Sequence, residues 1–220
     1  MVKLPWFDTG ALDPYENMAV DEALFLEKLP AIRFYSWSEP SYSIGYFQST
    51  HDCVFDHPLV RRITGGGTVM HGEDLTYSIV LNLQTFSFLD SIKQSYFWIH
   101  QGILEALRGL GMPIEIFSDP TYENGQFCFQ SPFPGDLVLG KFKVAGGAQR
   151  RRGGFLLHQG SIQLNQLPIE RPVLIKVILE GLARIFKLDL QEGFDILSKI
   201  KGRAEVLKSK YESKEWRYKF

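Results

Sequence analysis

The sequence predicts an α+β fold in which a mixed, mainly antiparallel sheet is flanked by helices. Strand-like and helix-like segments follow one another without the regular alternation that a parallel sheet requires. The strand-like segments fall in two zones, which are bounded by proline, glycine or aspartate and are rich in β-branched and aromatic residues. The 220 residues are 45% hydrophobic, which suffices for a buried core. We expect a single domain over residues 1–220, without a C-terminal accessory domain.

The first half of the chain predicts a helix, a strand zone and a second helix. The segment Asp13-Pro14-Tyr15-Glu16 is typical of a helix start, with aspartate as N-cap and proline at the first helical position. This helix is expected to stop before Pro30. Four strand-like segments follow, namely AIRFYSW, SYSIGYF, PLVRRI and DLTYSIVLNL. Apolar residues then recur at helical spacing over residues 91–110, where glycines end the pattern.

The second half predicts another strand zone and a helical C-terminal third. The strand-like segments are DLVLG, KFKVAGGAQ and GFLLHQGSIQL, with Gly153-Gly154 as the turn between the last two. From Pro172 onward the spacing of apolar residues predicts helices in VLIKVILEGLARIF, FDILSKI and AEVLKSKYESKEW.

Composition excludes several classes of function. The formal net charge is −1, from 24 basic and 25 acidic residues, which gives no indication of a nucleic-acid partner. The first residues lack the apolar core of a signal peptide, and no stretch approaches the ~18 apolar residues that span a bilayer. Two cysteines, Cys53 and Cys128, are too few for a disulfide framework. We therefore expect a cytoplasmic protein with free thiols, without a membrane segment and without a metal site.

A glycine-rich segment, RRITGGGTVMH at residues 61–71, is the first candidate for chemistry. Three consecutive glycines are costly in chain entropy and are disfavoured in strands. They are useful where the backbone must approach a ligand closely and offer its N–H groups to an anion. Arg61 and Arg62 would add fixed positive charge for a phosphate or carboxylate. A wide turn flanked by surface arginines is the alternative interpretation.

Three single residues could also carry chemistry. Lys143 begins a strand of small residues, where its ammonium could press on a buried carbonyl or phosphate, although most lysines are solvated. Cys128 lies between two phenylalanines, which is typical of a buried core residue; as a nucleophile it would need a nearby cation to lower its thiol pKa. His158 precedes Gln-Gly-Ser in a strand and could be a structural histidine or a site residue.

Taken together, these segments resemble the lipoate–protein ligase and octanoyltransferase family, which shares its catalytic fold with biotin–protein ligase. Residues 61–71 match the family's RRxxGGGxVxH loop, and residues 143–148 match its KxxGSA strand, with Gly147 in place of serine. Residues 158–161, His-Gln-Gly-Ser, are similar to its HHG[ST] or QHG[ST] segment. The resemblance extends over nearly the whole chain, from IRFYSW to the tail LKSKYESKEW.

The resemblance implies which residues act on the substrate. Lys143 and Cys128 would be catalytic, with Lys143 stabilising a developing oxyanion or a phosphate. An acyl group or an acyl-adenylate would be bound by residues of the three matching segments: Arg61, Arg62, Gly65, Gly66, Gly67, Thr68, Val69, His71, Gly146, Gly147, Ala148, His158, Gly160 and Ser161. No permanently bound cofactor is expected, because the octanoyl or lipoyl group is the substrate.

Two chemistries and a third class remain open. In the first, Cys128 carries the acyl group as a thioester that is charged from an acyl carrier protein. In the second, ATP and Mg activate free lipoate as lipoyl-AMP, and a separate accessory protein completes the ligase. The segment CFxxPxxxxLV around Cys128 favours the transferase, whereas Gly67 gives the ligase-like triple glycine. In both, the acceptor is a lysine of a lipoyl domain, in a 2-oxoacid dehydrogenase or a glycine cleavage H-type protein. A non-catalytic acyl-binding or lipoyl-domain-docking relative is the third class.

Overall fold

The computed structural model describes residues 1–50, 55–119 and 132–220. The helices in these ranges are α1 (Pro14–Leu26), α2 (Ile92–Gly109), α3 (Arg171–Phe186), α4 (Asp195–Glu212) and α5 (Lys214–Arg217). The strands are β1 (Val2–Leu12), β2 (Ala31–Trp37), β3 (Ser41–Ile44), β4 (Leu59–Arg61), β5 (Val69–His71), β6 (Asp74–Asn82), β7 (Glu115–Ile116), β8 (Leu137–Leu139), β9 (Phe142–Arg152), β10 (Phe155–Gln163) and β11 (Leu188–Glu192).

Eight strands form one mixed sheet in the order β11-β1-β2-β6-β10-β9-β8-β7. In this sheet order, each pair of neighbouring strands from β2 through β6, β10, β9 and β8 to β7 is antiparallel. Strand β1 is parallel to both β2 and β11. A small sheet holds β4, β3 and β5, with β3 parallel to β4 and antiparallel to β5. This architecture confirms the predicted α+β class with a mainly antiparallel sheet.

Helices cover both faces of the large sheet, because its central strands alternate two sets of buried side chains. In β2, Ile32 and Phe34 join the apolar cluster that α2 and α3 complete. Tyr35 and Trp37 join the cluster that α1 and α4 complete on the opposite face. No helix in the described ranges is long and apolar enough to span a membrane.

The start of α1 is confirmed in atomic detail. The side chain of Asp13 accepts a hydrogen bond from the backbone N–H of Glu16 at 2.8 Å, and Pro14 occupies the first turn. The helix ends at Leu26, a little earlier than predicted, and Lys28 adopts a left-handed conformation (φ 55°) before the chain enters β2. The predicted turn at Gly153-Gly154 is also confirmed, since it joins β9 to β10.

The sequence pattern did not predict every strand, and β1 and β11 are two of those that it missed. Strand β1 contains Pro5 and Gly10, which disfavour strand assignment, and β11 is a short segment with several polar residues. Both lie at the parallel edge of the sheet. The predicted helices FDILSKI and AEVLKSKYESKEW are joined in one continuous helix, α4, which passes through Gly202, while the end of the second forms the separate short helix α5.

Candidate active site

A narrow cavity lies between the glycine-rich segment, strands β9 and β10, and helix α1. Much of its wall is apolar, with side chains from α1, the end of β2 and the start of β5. The backbone of β9 forms another part of the wall. The residues that line these two parts of the wall include Met18, Trp37, Val69, Gly146, Gly147 and Ala148. A mainly apolar wall of this kind suits an acyl chain better than it suits a polar metabolite.

Arg62 holds the glycine-rich segment in shape from within the protein. Its guanidinium donates to the carbonyl oxygens of Gly65 and Gly67 at 2.9 and 3.0 Å, and to Ser43 Oγ at 2.7 Å. Because C=O and N–H point in opposite directions in a trans peptide, the N–H groups of the residues after these two glycines point away from the guanidinium. Gly66 lies between the two clamped carbonyls with φ +88°, a conformation that favours glycine.

Arg61 has a different position from its neighbour. It is fully buried and does not line the cavity. Its guanidinium donates to the carbonyl oxygens of Gly45, Tyr46 and Gln48 at 2.7 to 3.0 Å, and its Nε donates to those of Trp216 and Arg217. The structure thus shows Arg61 joining the end of β4 to the C-terminal helix α5.

A buried network of polar side chains forms one end of the cavity. Asp74 Oδ2 lies 2.8 Å from His71 Nδ1 and accepts hydrogen bonds from Thr76 and Ser161 at 2.8 and 2.6 Å. His71 Nε2 lies 2.7 Å from Ser43 Oγ. Burial opposes ionisation of Asp74, but His71 and these donors together hold the pKa of the carboxyl below its usual value. His71 also stacks on Trp37, with ring centroids 4.0 Å apart.

Lys143 lies beside the cavity wall because strand β9 carries a bulge. Leu137 pairs with Ala145 whereas Val138 pairs with Lys143, so β9 has one extra residue at this point. The lysine side chain passes over Gly146, where a β-carbon would lie 2.4 Å from Lys143 Cε and 2.7 Å from Nζ. Gly146 itself lines the cavity. The ammonium therefore lies directly behind a glycine of the cavity wall.

Lys143 is paired with a carboxylate that the sequence did not indicate. Its ammonium lies 2.6 Å from Asp136 Oδ2, and the two side chains are 2% and 0% exposed. Asp136 precedes β8 and also accepts a hydrogen bond from the hydroxyl of Tyr96 on α2. A buried ammonium needs such a partner, because burial alone favours its neutral form.

Gly147 stands where the family pattern has serine, and the structure gives a steric reason. A β-carbon at this position would lie 2.5 Å from His158 Nε2. His158 is fully buried, 3.2 Å from the Tyr77 hydroxyl and 3.1 Å from Gln149 Nε2. Burial lowers the pKa of His158 well below its ordinary value, so the ring is neutral at pH 7. His158 therefore fills the space behind β9, and it does not line the cavity.

Most of the residues expected from the sequence meet around one cavity. Those that line it are Arg62, Gly66, Val69, His71, Gly146, Gly147, Ala148, Gly160 and Ser161. Those that are not part of its lining are Arg61, Gly65, Gly67, Thr68, Lys143 and His158. Cys128, and Cys53 with it, lies outside the described residues.

Sequence reasoning missed several polar residues that shape the site. Gln159 lines the cavity, and its amide donates to Asp21 on α1 at 2.7 Å while accepting from Thr64 at 2.8 Å. Asp21 in turn is paired with the buried Arg33 at 2.7 Å. Partners more than 130 residues apart, such as Asp21 and Gln159, share no local pattern that could have indicated their contact.

The fold and the site together define a catalytic domain of the lipoyl protein ligase type. The family model of the lipoyl protein ligase A/B catalytic domain matches residues 13–168, more than half of the chain. The chain belongs to this family, and it is an acyltransferase or ligase. The resemblance and the enzyme class expected from the sequence are confirmed.

Sequence relatives and solved structures agree with this assignment. The octanoyltransferase LipM of Moorella thermoacetica is 31% identical, over 95% of this chain and 95% of that protein. The LipM of Halalkalibacterium halodurans is 40% identical over 73% of this chain, but the match covers only 65% of that protein.

Two solved structures from Thermoplasma acidophilum have the same fold. A lipoate-ligase-like protein with bound lipoic acid has a TM-score of 0.81 at 22% identity, over 99% of this chain and 100% of that one. A bipartite lipoate protein ligase, studied with its E2 lipoyl domain, has a TM-score of 0.75 at 22% identity, over 99% of this chain and 96% of that one.

Proposed function

We propose that this protein carries out protein lipoylation by transferring an octanoyl or lipoyl group to a lysine of a lipoyl domain. The observation that carries the proposal is the buried Lys143–Asp136 pair behind Gly146, at the wall of an apolar cavity. A fixed ammonium at this place can stabilise the negative charge that develops on an acyl carbonyl oxygen under attack. The names of the sequence relatives, which are octanoyltransferases, support octanoyl transfer.

The reaction would proceed in two acyl transfers. The thiolate of Cys128 attacks the carbonyl carbon of an acyl thioester on an acyl carrier protein, and the carrier's thiolate leaves. The neutral amine of the acceptor lysine then attacks the new thioester, an amide bond forms, the Cys128 thiolate leaves again, and the proton that the amine loses passes to solvent. Lys143 would face the carbonyl oxygen in both steps, while the apolar wall around Met18 and Val69 holds the acyl chain.

The residues around the cavity support distinct tasks in this scheme. The segment that Arg62 clamps through Gly65 and Gly67 would hold the activated carboxyl end of the acyl group. The network of His71 and Asp74 would fix one end of the slot. The acyl group is the substrate, and no permanently bound cofactor is invoked. The site assignments, the single-domain organisation and a cytoplasmic location remain predictions.

A ligase is the second candidate. ATP and Mg would then activate free lipoate, and Lys143 would face the phosphate of lipoyl-AMP. The glycine at position 67 favours this alternative, whereas the names of the sequence relatives favour the transferase. In both schemes the acceptor is a lipoyl domain of a 2-oxoacid dehydrogenase or a glycine cleavage H-type protein.

Intact-mass spectrometry separates the two chemistries. With an octanoylated acyl carrier protein, the transferase should gain one octanoyl mass that hydroxylamine removes, and a lipoyl domain should then become octanoylated without ATP. Cys128→Ala should lose the adduct, and Lys143→Ala should lose transfer by about 10²-fold or more while remaining folded. Cys53→Ala serves as the matched control and should behave like the parent.

The ligase predicts the reverse outcome of this experiment. A fully active Cys128→Ala protein that requires ATP and free lipoate would contradict the thioester route while leaving the family intact. Modification of no lipoyl domain under either condition would contradict the proposed function itself.

A further inference from the structure

The hydroxyl of Tyr96 connects three parts of the candidate site. Tyr96 lies on α2, and its hydroxyl donates to the carboxylate of Asp136. The same oxygen accepts a hydrogen bond from the backbone N–H of Gly147 at 3.0 Å. Because Gly147 lines the cavity and Asp136 holds Lys143, one side chain of α2 touches both the wall and the counter-ion of the lysine.

Asp136 is held by three donors from different elements. It lies 2.6 Å from the ammonium of Lys143, and its Oδ2 accepts from the backbone N–H of Phe133 at 2.6 Å. Tyr96 satisfies the other carboxylate oxygen. A carboxylate with several buried donors has little freedom to rotate, and an ammonium paired with it shares that restriction.

Within the part of the chain that the structure describes, four further titratable groups near this pair are neutral. They are Tyr77 on β6, Tyr96 and His100 on α2, and His158 on β10. Burial raises the pKa of both tyrosines, lowers that of His100 to about 4 and lowers that of His158 further below its ordinary value. These four groups therefore add no charge beside the ion pair of Lys143 and Asp136.

We propose that Asp136 and Tyr96 are positioning residues, which fix the ammonium of Lys143 and the Gly147 backbone in the geometry that acyl transfer requires. This proposal rests on the proposed function and deepens it. Asp136 holds the ammonium of the buried lysine beside Gly146. Tyr96 locks Asp136 to the cavity wall, so the position of α2 along the sheet sets the geometry of the site. Neither residue exchanges a proton with the substrate.

Two conservative variants test this role. Asp136→Asn keeps the shape but removes the negative charge, and Tyr96→Phe keeps the ring but removes the hydroxyl. We expect kcat to fall by about 10²-fold in Asp136→Asn and by roughly 10-fold in Tyr96→Phe, with the KM for the lipoyl domain unchanged. As the pH rises, the activity of Asp136→Asn should begin to fall at a lower pH than that of the parent. The reason is that the desolvated ammonium has lost its counter-ion and gives up its proton more readily.

Tyr211→Phe is the matched control. Tyr211 is also buried, and its hydroxyl also donates to a carboxylate, that of Glu22 at 2.7 Å, but it lies on α4 and outside the cavity lining. The Tyr211→Phe variant should lose about as much stability as Tyr96→Phe does, but it should keep the kinetics of the parent. A folded Tyr96→Phe enzyme with parental kcat, together with a folded Asp136→Asn enzyme with a parental pH profile, would overturn the proposal.

A second measurement does not depend on acyl transfer. Acetic anhydride labels lysines, and peptide mass spectrometry gives the rate at Lys143. The parent and Tyr211→Phe should label slowly, because the ammonium is buried and paired, whereas Asp136→Asn and Tyr96→Phe should label several-fold faster. Unchanged labelling in both variants would overturn the positioning role, even if the protein proves inactive toward lipoyl domains. Inactivity of the parent would count against the proposed function alone.

Discussion

Two neighbouring glycines in β9 decide which side chains can lie against this strand. Gly146 leaves room for Lys143 on one side, and Gly147 leaves room for His158. A side chain larger than hydrogen at either position would occupy space that these two residues already fill. In this protein, a side chain at position 147 and the buried ring of His158 would therefore compete for the same space, so a serine at this position would carry a steric cost.

A double-mutant cycle checks this coupling at the scale of single residues. Gly147→Ser should destabilise the protein by about 1–3 kcal/mol, because its β-carbon would overlap His158. His158→Ala should also destabilise it, since it leaves a void beside Tyr77. Combined, the two should cost less than their sum, as measured by urea unfolding. Strictly additive losses would show that the two positions do not compete for the same space.

At the scale of elements, the segment from Thr64 to Thr68 has a shape imposed by its surroundings. Arg62 clamps two of its carbonyl groups, and the carbonyl of Gly66 comes so close to Gly45 that a β-carbon there would lie 2.0 Å from it. The segment thus has a fixed backbone rather than a loose turn. This favours a binding role, because preorganised backbone groups bind a ligand without an ordering cost.

Gly66→Val tests whether the segment binds the acyl group. The φ of +88° at Gly66 is strained for a β-branched residue, so the backbone should shift and release the clamp of Arg62. We expect loss of octanoate binding in calorimetry with a modest decrease in Tm. Gly111→Val is the control, because Gly111 has a similar φ of +78° and lies just after α2, outside the cavity lining. If Gly66→Val binds octanoate as tightly as the parent does, the segment is only a turn and has no role in binding.

At the scale of the whole molecule, packing α2 against the sheet buries two neutral histidines. The rings of His100 and His158 lie 5.6 Å apart, and both are fully buried. His100 Nδ1 lies 2.6 Å from the carbonyl oxygen of Gly135. Burial lowers the pKa of His100 to about 4 and that of His158 well below its ordinary value. As the pH falls, both histidines therefore bind a proton at a higher pH in the unfolded chain than in the folded protein.

Stability should consequently fall on acidification from pH 6.5 to about 4. In this range the unfolded state binds protons that the folded state does not, so the free energy of unfolding decreases as pH falls, by up to about 1.4 kcal/mol per pH unit for each histidine. Urea unfolding at several pH values measures this slope. His100→Asn should lower this slope by up to the contribution of one histidine. A slope identical to that of the parent would contradict the lowered pKa of His100.

The sequence by itself determined the features that local patterns encode. The N-cap at Asp13, the turn at Gly153-Gly154 and the helical periodicity of α2 each depend on residues within a few positions of one another. The three matching segments identified the family, and most of the residues taken from them line one cavity. Motifs of this kind are recognisable because close approach of a ligand to the backbone restricts residue type over a short stretch.

Only the tertiary structure decided which distant groups meet. The pairing of Lys143 with Asp136 depends on a bulge in β9, and the contact of Tyr96 with Gly147 depends on how α2 packs against the sheet. The place of Arg61 against α5 depends on the path of the C-terminus. Such contacts are fixed by strand order, register and helix packing, which sum many weak interactions over the whole chain and therefore leave no local pattern in the sequence.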